Sequence, residues 1–186
     1  MKKITIFLFV AVLSTFAAKA QEFKKFRVGI GGGYASASGK GAKGGVLLYV
    51  EPGYRVMDQL IVNLRMESAI IARGSATDTE ADLDVAGLGS YTLNAQYYFN
   101  NNDFRPFAGA GFGLFSLAAV SIDAGQGGGS VTAAAASNEF GFYPRVGFDY
   151  KHFTLSIDYN VVPETNDIKN SYIGIRIGGF FGGGRK

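Results

Sequence analysis

Strand-length runs in which apolar and polar residues alternate with a period of two dominate this chain. Within residues 60–73, for example, Val62 and Leu64 alternate with Asn63 and Arg65. Such alternation places the two sets on opposite faces of an extended strand, and no run shows the 3.6-residue period of an amphipathic helix. The sequence therefore predicts an all-β protein whose strands are each apolar on one face.

Eight such runs are present, and the connections between them alternate in length. The runs are residues 26–36, 46–56, 60–73, 90–99, 104–122, 140–149, 153–161 and 173–181. Short turns are predicted at 57–59, 100–103 and 150–152, and longer links at 37–43, 74–84, 123–137 and 163–169. A long link at every second connection is typical of an eight-stranded antiparallel up-and-down β-barrel with tight turns at one rim. The facing of residues 104–122 stays open, because Ala and Gly occupy both parities.

The apolar faces are predicted to point outward into lipid. An eight-stranded barrel has barely enough interior for its own side chains, so large aliphatic and aromatic residues from every strand cannot all point inward. Aromatic residues also gather at predicted strand ends, as in the interfacial girdle of a membrane barrel. These aromatics are Phe26, Tyr54, Tyr97, Phe99, Phe107, Phe148, Phe153 and Phe181. The alternative is a secreted soluble barrel with the apolar face inside.

The opposite faces carry four basic and four acidic residues, which a transmembrane barrel would enclose. These residues are Glu51, Arg55, Arg65, Glu67, Arg145, Asp149, Asp158 and Arg176. Because buried charges must be paired, we expect one neutral interior salt-bridge network. The first four are expected to pair across one hairpin and the last four among the final three strands. We interpret this network as a plug in preference to a transport path, since barrels of this size are normally filled.

The first twenty residues read as a cleaved secretory signal peptide. Lys2 and Lys3 precede an apolar run, and Ala18 and Ala20 form a small-residue cleavage site. This pattern predicts a signal peptide at 1–20 and a mature barrel domain at 21–186. Three of the 18 basic residues lie in the first twenty, which leaves 15 basic against 15 acidic residues. The mature chain is therefore neutral, and its charge gives no reason to expect a nucleic-acid partner.

At this point the chain resembles the small outer-membrane β-barrels of the OmpX, OmpW and OmpA-transmembrane-domain kind. The aromatic-ended last strand, Tyr172 to Phe181, carries the likeness, together with the signal peptide and the eight strands. The segment Arg105 to Leu114 also looks like the fifth strand of the outer membrane protein beta-barrel domain families. The resemblance implies a monomer in the Gram-negative outer membrane. Outer-membrane lipid and the barrel assembly machinery, which reads a final-strand aromatic, would be its partners.

Catalytic, metal and cofactor chemistry finds little support in the sequence. There is no Cys, and the one His, His152, lies in a predicted short turn. No phosphate-binding, nucleophile-elbow or zinc motif occurs. The acids of the segment 78–84 (Asp78, Glu80, Asp82 and Asp84) would line the loop mouth, but Leu83 stands where a calcium loop needs Gly. We therefore predict no enzyme, no metal and no cofactor.

Three functions remain at this level. The leading prediction is a non-enzymatic outer-membrane barrel with a role in envelope integrity or surface interaction through unidentified loop partners. The first alternative is an OmpW-like conduit for small apolar molecules, which would need a lateral gap in the wall, for instance at the fifth strand. The second is the secreted soluble ligand-binding barrel.

Overall fold

A computed structural model describes residues 22–38, 42–74, 83–123, 130–133, 137–164 and 169–185. The strands are β1 Phe26–Ala37, β2 Ala42–Met57, β3 Leu60–Gly74, β4 Leu83–Tyr98, β5 Phe104–Asp123, β6 Ser130–Ala133, β7 Ser137–Tyr150, β8 Phe153–Asn160 and β9 Tyr172–Gly182. No helix in these residues is long and apolar enough to cross a membrane. The predicted signal peptide at 1–20 lies outside the described residues.

Eight of the nine strands form a closed antiparallel barrel. Consecutive wall strands are neighbours, and β1 closes the sheet by pairing with β9 from Arg27↔Gly182 to Ala37↔Tyr172. The extra strand, β6, pairs only with the far end of β5. The predicted eight-stranded barrel is thus confirmed, with one short strand added inside a predicted long link.

Several strands begin earlier than the sequence pattern indicates, β2 and β4 by the largest margins. β2 starts at Ala42, and β4 starts at Leu83. Backbone pairing continues there, for example between Gly74 and Leu83, although the side chains no longer alternate cleanly. A ladder needs only its backbone hydrogen bonds, whereas the alternation is required only where one face meets lipid.

The apolar sets face outward and the polar sets face inward. In β8, Ile157 is 49% exposed and the adjacent Asp158 only 2%. The open question of β5 is resolved in the same way, because Arg105 and Phe107 are buried and Phe112 is exposed. Phe107 was expected in the aromatic girdle. It instead points into the barrel, where its ring packs edge-on against Tyr98 with centroids 5.4 Å apart.

The wall is continuous at β5, where the conduit alternative expects a gap. β5 pairs with β4 from Tyr98↔Phe107 to Leu83↔Ile122, and with β7 from Phe104 to Leu117. The shortest pairing between consecutive wall strands runs between β7 and β8, from Tyr150↔Phe153 to Arg145↔Asp158. A bridge between Phe142 and Val161 extends that seam.

Apolar groups fill the interior toward both rims, and the polar residues lie between them. The cluster on the loop side contains Leu47, Tyr49, Phe115, Tyr143 and Tyr172. Inward glycines make room for these rings, since a Cβ at Gly111 would overlap the Tyr143 ring. At the short-turn rim, Ile61, Tyr98 and Phe107 form the second cluster.

The N-terminal segment closes the short-turn rim. Phe23 is 4% exposed and forms a β-bridge with Arg185. The backbone amides of Glu22 and Phe23 donate to the Asp58 carboxylate. This segment therefore lies under the barrel mouth, against the side chains of the interior.

Candidate functional site

The candidate site is the set of charged side chains enclosed by the barrel. Alternation along each strand aims them inward, and burial removes them from water. Among the described residues, those with at most 5% exposure are Arg27, Glu51, Arg55, Arg65, Glu67, Arg105, Arg145, Asp149, Asp158 and Arg176. All eight residues of the predicted interior network lie in this set. Arg27 and Arg105 are additional.

The first cluster, called the central cluster here, joins Arg65, Glu67, Asp158 and Arg176. Arg176 donates to Glu67 through Nε at 2.8 Å and Nη2 at 2.9 Å, and its Nη1 bonds Asp158. Arg65 donates to Asp158 at 2.9 Å and lies 3.6 Å from Glu67. The Tyr172 hydroxyl donates to Glu67 at 2.7 Å. Two guanidiniums and two carboxylates therefore neutralise each other by direct contact.

A second cluster joins Glu51 on β2 to Arg145 on β7. Arg145 Nη1 donates to Glu51 at 2.7 Å, and Arg145 Nε donates to the Ser156 hydroxyl at 3.1 Å. Asn94 donates to the same Glu51 oxygen at 2.9 Å and accepts from Asn63 at 3.0 Å. The chain of contacts runs from β3 through β4 and β2 to β7, and so crosses the lumen.

A third cluster lies nearer the short-turn rim, around Arg27. Its Nη1 donates to Asp149 at 2.8 Å and to the Tyr98 hydroxyl at 2.8 Å. Tyr98 in turn donates to Asp149 at 2.7 Å, and Arg27 Nη2 donates to Gln96 at 3.2 Å. One basic and one acidic side chain are thus held in a ring of hydrogen bonds.

Arg55 and Arg105 form no ion pair with any described residue. Arg55 Nη1 and Arg105 Nη2 both donate to the backbone carbonyl of Asp58, at 2.8 and 2.7 Å. Arg55 Nε and Nη2 have no hydrogen-bond partner in the described part of the chain. The guanidinium carbon of Arg105 lies 4.0 Å from the Phe23 ring centroid and 4.1 Å from that of Tyr98. Aromatic faces therefore take the place of a counter-ion at both residues.

Most of the ion pairs expected among the eight predicted interior charges are not the ones that form. Glu51 pairs with Arg145, and Asp149 pairs with Arg27. Of the expected neighbours, Arg176 and Asp158 do meet. The lumen is so narrow that long side chains reach the opposite wall, and strand adjacency does not choose the partners.

The expected neutral balance was also wrong, because the ten buried charges comprise six arginines and four acids. Sequence reasoning left out Arg27 and Arg105. The parity of β1 carried a signal for Arg27, whereas that of Arg105 became readable only once the structure had fixed the facing of β5. Arg27 lies between Phe26 and Val28, and Arg105 lies two residues before the inward-facing Phe107.

The predicted acidic mouth falls largely outside the described residues. Asp78, Glu80 and Asp82 lie there, and the backbone of Asp84 belongs to β4, paired with Arg73 and Ser121. Asp84 was expected in a loop, and the extension of the β3–β4 ladder places it in a strand. Within the described chain, no group of three or more His, Asp or Glu residues is arranged to hold a metal.

His152 lies in the short turn between β7 and β8, as the sequence predicts, and its Nδ1 lies 3.0 Å from the carbonyl oxygen of Phe180.

A closed barrel with an apolar outer wall and a charged, hydrogen-bonded interior defines an integral membrane β-barrel protein. The sequence matches the family described as "Outer membrane protein beta-barrel domain" over residues 5–181. The chain therefore belongs to the outer membrane protein beta-barrel family, whose members lie in the Gram-negative outer membrane.

Solved structures of small outer-membrane barrels are similar to this chain. Neisserial surface protein A shares 21% identity with a TM-score of 0.55, covering 83% of this chain and 94% of its own. The outer membrane protein OprG from Pseudomonas aeruginosa shares 16% identity with a TM-score of 0.47, covering 88% and 100%. Ail, the attachment invasion locus protein of Yersinia pestis, shares 15% identity with a TM-score of 0.49, covering 86% and 99%. Curated protein sequences gave no match.

Proposed function

We propose that this protein is a non-enzymatic outer-membrane scaffold, in which a salt-bridged barrel supports envelope integrity and displays its long loops at the cell surface. The observation that carries the proposal is the central cluster. Its four charged side chains come from β3, β8 and β9, and each is 0% exposed. Buried side chains that neutralise each other favour a plug over a hydrated path at this level of the lumen.

Conductance of the purified barrel in a planar bilayer tests this proposal. We expect silence from inserted wild-type protein, with a heat-shifted gel band to verify that the barrel is folded. Replacing Arg65 by Ala removes a guanidinium that contacts both Asp158 and Glu67 and should open a hydrated gap. Frequent discrete openings in the wild type would contradict the scaffold and favour the conduit for small apolar molecules.

A cell-based comparison separates the two roles that the scaffold can have. Cells that lack the protein are complemented either with the full chain or with a barrel whose link 75–82 is shortened to a tight turn. The uptake of an apolar dye reports the barrier, and attachment to host or abiotic surfaces reports the loops. Envelope integrity requires that both chains restore the barrier. Surface interaction requires that only the full chain restores attachment.

The proposal includes export by a cleaved signal peptide, assembly by the barrel assembly machinery and a monomeric barrel in lipid. N-terminal sequencing of the membrane-extracted protein should begin at Gln21, after the Ala18–Ala20 site. Replacing Phe181, which is 74% exposed at the end of β9, should slow assembly in the cell.

A further inference from the structure

A cavity of about 310 Å³ opens at the short-turn rim, beneath the buried arginines. Its lining carries the side chains of Arg105, Lys151, His152 and Arg185, and Asp103 is the only acid among the lining residues. Arg185 already forms an ion pair with Glu22 at 2.7 Å. Among the remaining lining charges, Arg105 and Lys151 outnumber Asp103, which leaves the cavity with a net positive charge.

Arg105 is the key residue of this cavity. It is 5% exposed, and its Nε and Nη2 donate to the carbonyls of Asn100 and Asp58. Both the Phe23 and the Tyr98 ring pack against the guanidinium, with centroids 4.0 and 4.1 Å from its central carbon. Since Nε and Nη2 are engaged by the two carbonyls, Nη1 is the guanidinium nitrogen left for a ligand.

The nearby carboxylates of Asp58 and Asp149 act on this arginine through their charge, but neither forms an ion pair with it in the described part of the chain. The carboxylate of Asp58 accepts from the backbone amides of Glu22 and Phe23, and Asp149 is bonded to Arg27. Arg55, which also lacks an ion pair, donates to the same Asp58 carbonyl as Arg105. Two guanidiniums thus share one neutral acceptor, and uncompensated buried charge is costly.

We propose that this cavity binds a phosphate group, held by Arg105 and Lys151. A phosphate oxygen would supply a counter-charge to Arg105, and the planar edge of a guanidinium suits phosphate geometry. The cavity lies at the level of Phe104, Tyr150 and Phe153, which are exposed at the short-turn rim. In membrane barrels this rim faces the periplasm, and aromatic residues of this kind lie at the level of the lipid headgroups. The phosphate can come from an inner-leaflet phospholipid or from solution.

The first experiment measures binding of inorganic phosphate to the folded full barrel in an uncharged maltoside detergent. Isothermal titration calorimetry at constant ionic strength should give saturable binding to one site. Arg105→Gln should weaken the affinity at least tenfold. Lys169→Gln, which removes an exposed cation at the opposite rim, should change it less than twofold.

A second variant covers the case in which Arg105→Gln does not fold. Lys151 is exposed in the turn between β7 and β8, so Lys151→Gln should leave the heat-shifted gel band intact. The affinity for phosphate should fall at least threefold. Wild-type protein without saturable binding overturns the proposal. Equal losses of phosphate affinity in Lys151→Gln and Lys169→Gln also overturn it, because they would indicate that the whole surface attracts the anion.

Competition with a soluble short-chain phosphatidylglycerol then identifies the source of the phosphate. Displacement at a tenfold lower concentration than phosphate itself assigns the cavity to a lipid headgroup. Failure to displace phosphate assigns it to the free anion. The outcome is independent of the scaffold proposal, since a silent barrel that binds no phosphate contradicts only the cavity. A conducting barrel that binds phosphate contradicts only the scaffold.

Discussion

Removal of the Glu67 carboxylate is the most informative single perturbation of the barrel interior. In the central cluster, Glu67 accepts two hydrogen bonds from Arg176 and one from Tyr172, and it lies 3.6 Å from Arg65. Glu67→Ala leaves two guanidiniums with Asp158 as their only carboxylate. The cluster then carries an uncompensated positive charge among side chains that are closed off from solvent.

Breaking a buried ion pair by removing one partner costs about 3–5 kcal/mol, and we expect the free energy of unfolding to fall by that amount. Urea titration of the barrel in lipid vesicles, followed by the heat-shifted gel band, measures it. Glu164→Ala serves as the control, because the Glu164–Lys169 pair is exposed at both partners and 3.9 Å apart. An exposed pair of this kind contributes about 0–1 kcal/mol.

The double variant Glu67→Met with Arg176→Met tests the physical reason. It removes one acid and one base together, so the remaining Arg65–Asp158 pair is neutral. Apolar replacement of a whole buried ion pair is often neutral or stabilising, and the double variant should therefore be more stable than Glu67→Ala. The reasoning fails if Glu67→Ala unfolds at the wild-type urea concentration, or if the double variant is the less stable of the two.

Two further predictions concern the wall. Ile157→Arg on the lipid face should destabilise the barrel by about 2–4 kcal/mol, whereas Phe153→Arg at the rim should lower the free energy of unfolding by less. Equal losses of that free energy, measured by unfolding in vesicles, would argue against the membrane orientation. Gly113→Ala should lower the yield of folded barrel, because its Cβ would overlap the Tyr91 carbonyl oxygen. Gly89→Ala should fold as the wild type does, since nothing lies within 4 Å of the added atom. A higher folded yield for Gly113→Ala than for Gly89→Ala in the gel assay would contradict the packing.

Alternation alone was enough to predict the all-β class, the eight wall strands and their inward and outward faces. This succeeded because one face of each strand meets lipid and the other meets the polar interior, so successive residues alternate between the two environments. Residues such as Ile157 and Asp158 could be assigned to opposite faces without knowledge of any partner strand. The pattern became uninformative in β5, where Ala and Gly fill both parities, and at the starts of β2 and β4.

The sequence by itself therefore determined which charged residues an enclosed interior would receive, apart from Arg27 and Arg105. Only the tertiary structure decided how they pair. Arg145 meets Glu51 across the lumen, and Arg65 meets Asp158 from β3 to β8. Barrel closure and strand stagger set those distances, and neither quantity is encoded in the residues of a single strand. The same closure brings the Phe23 and Tyr98 rings against Arg105 beside the positively charged cavity at the short-turn rim.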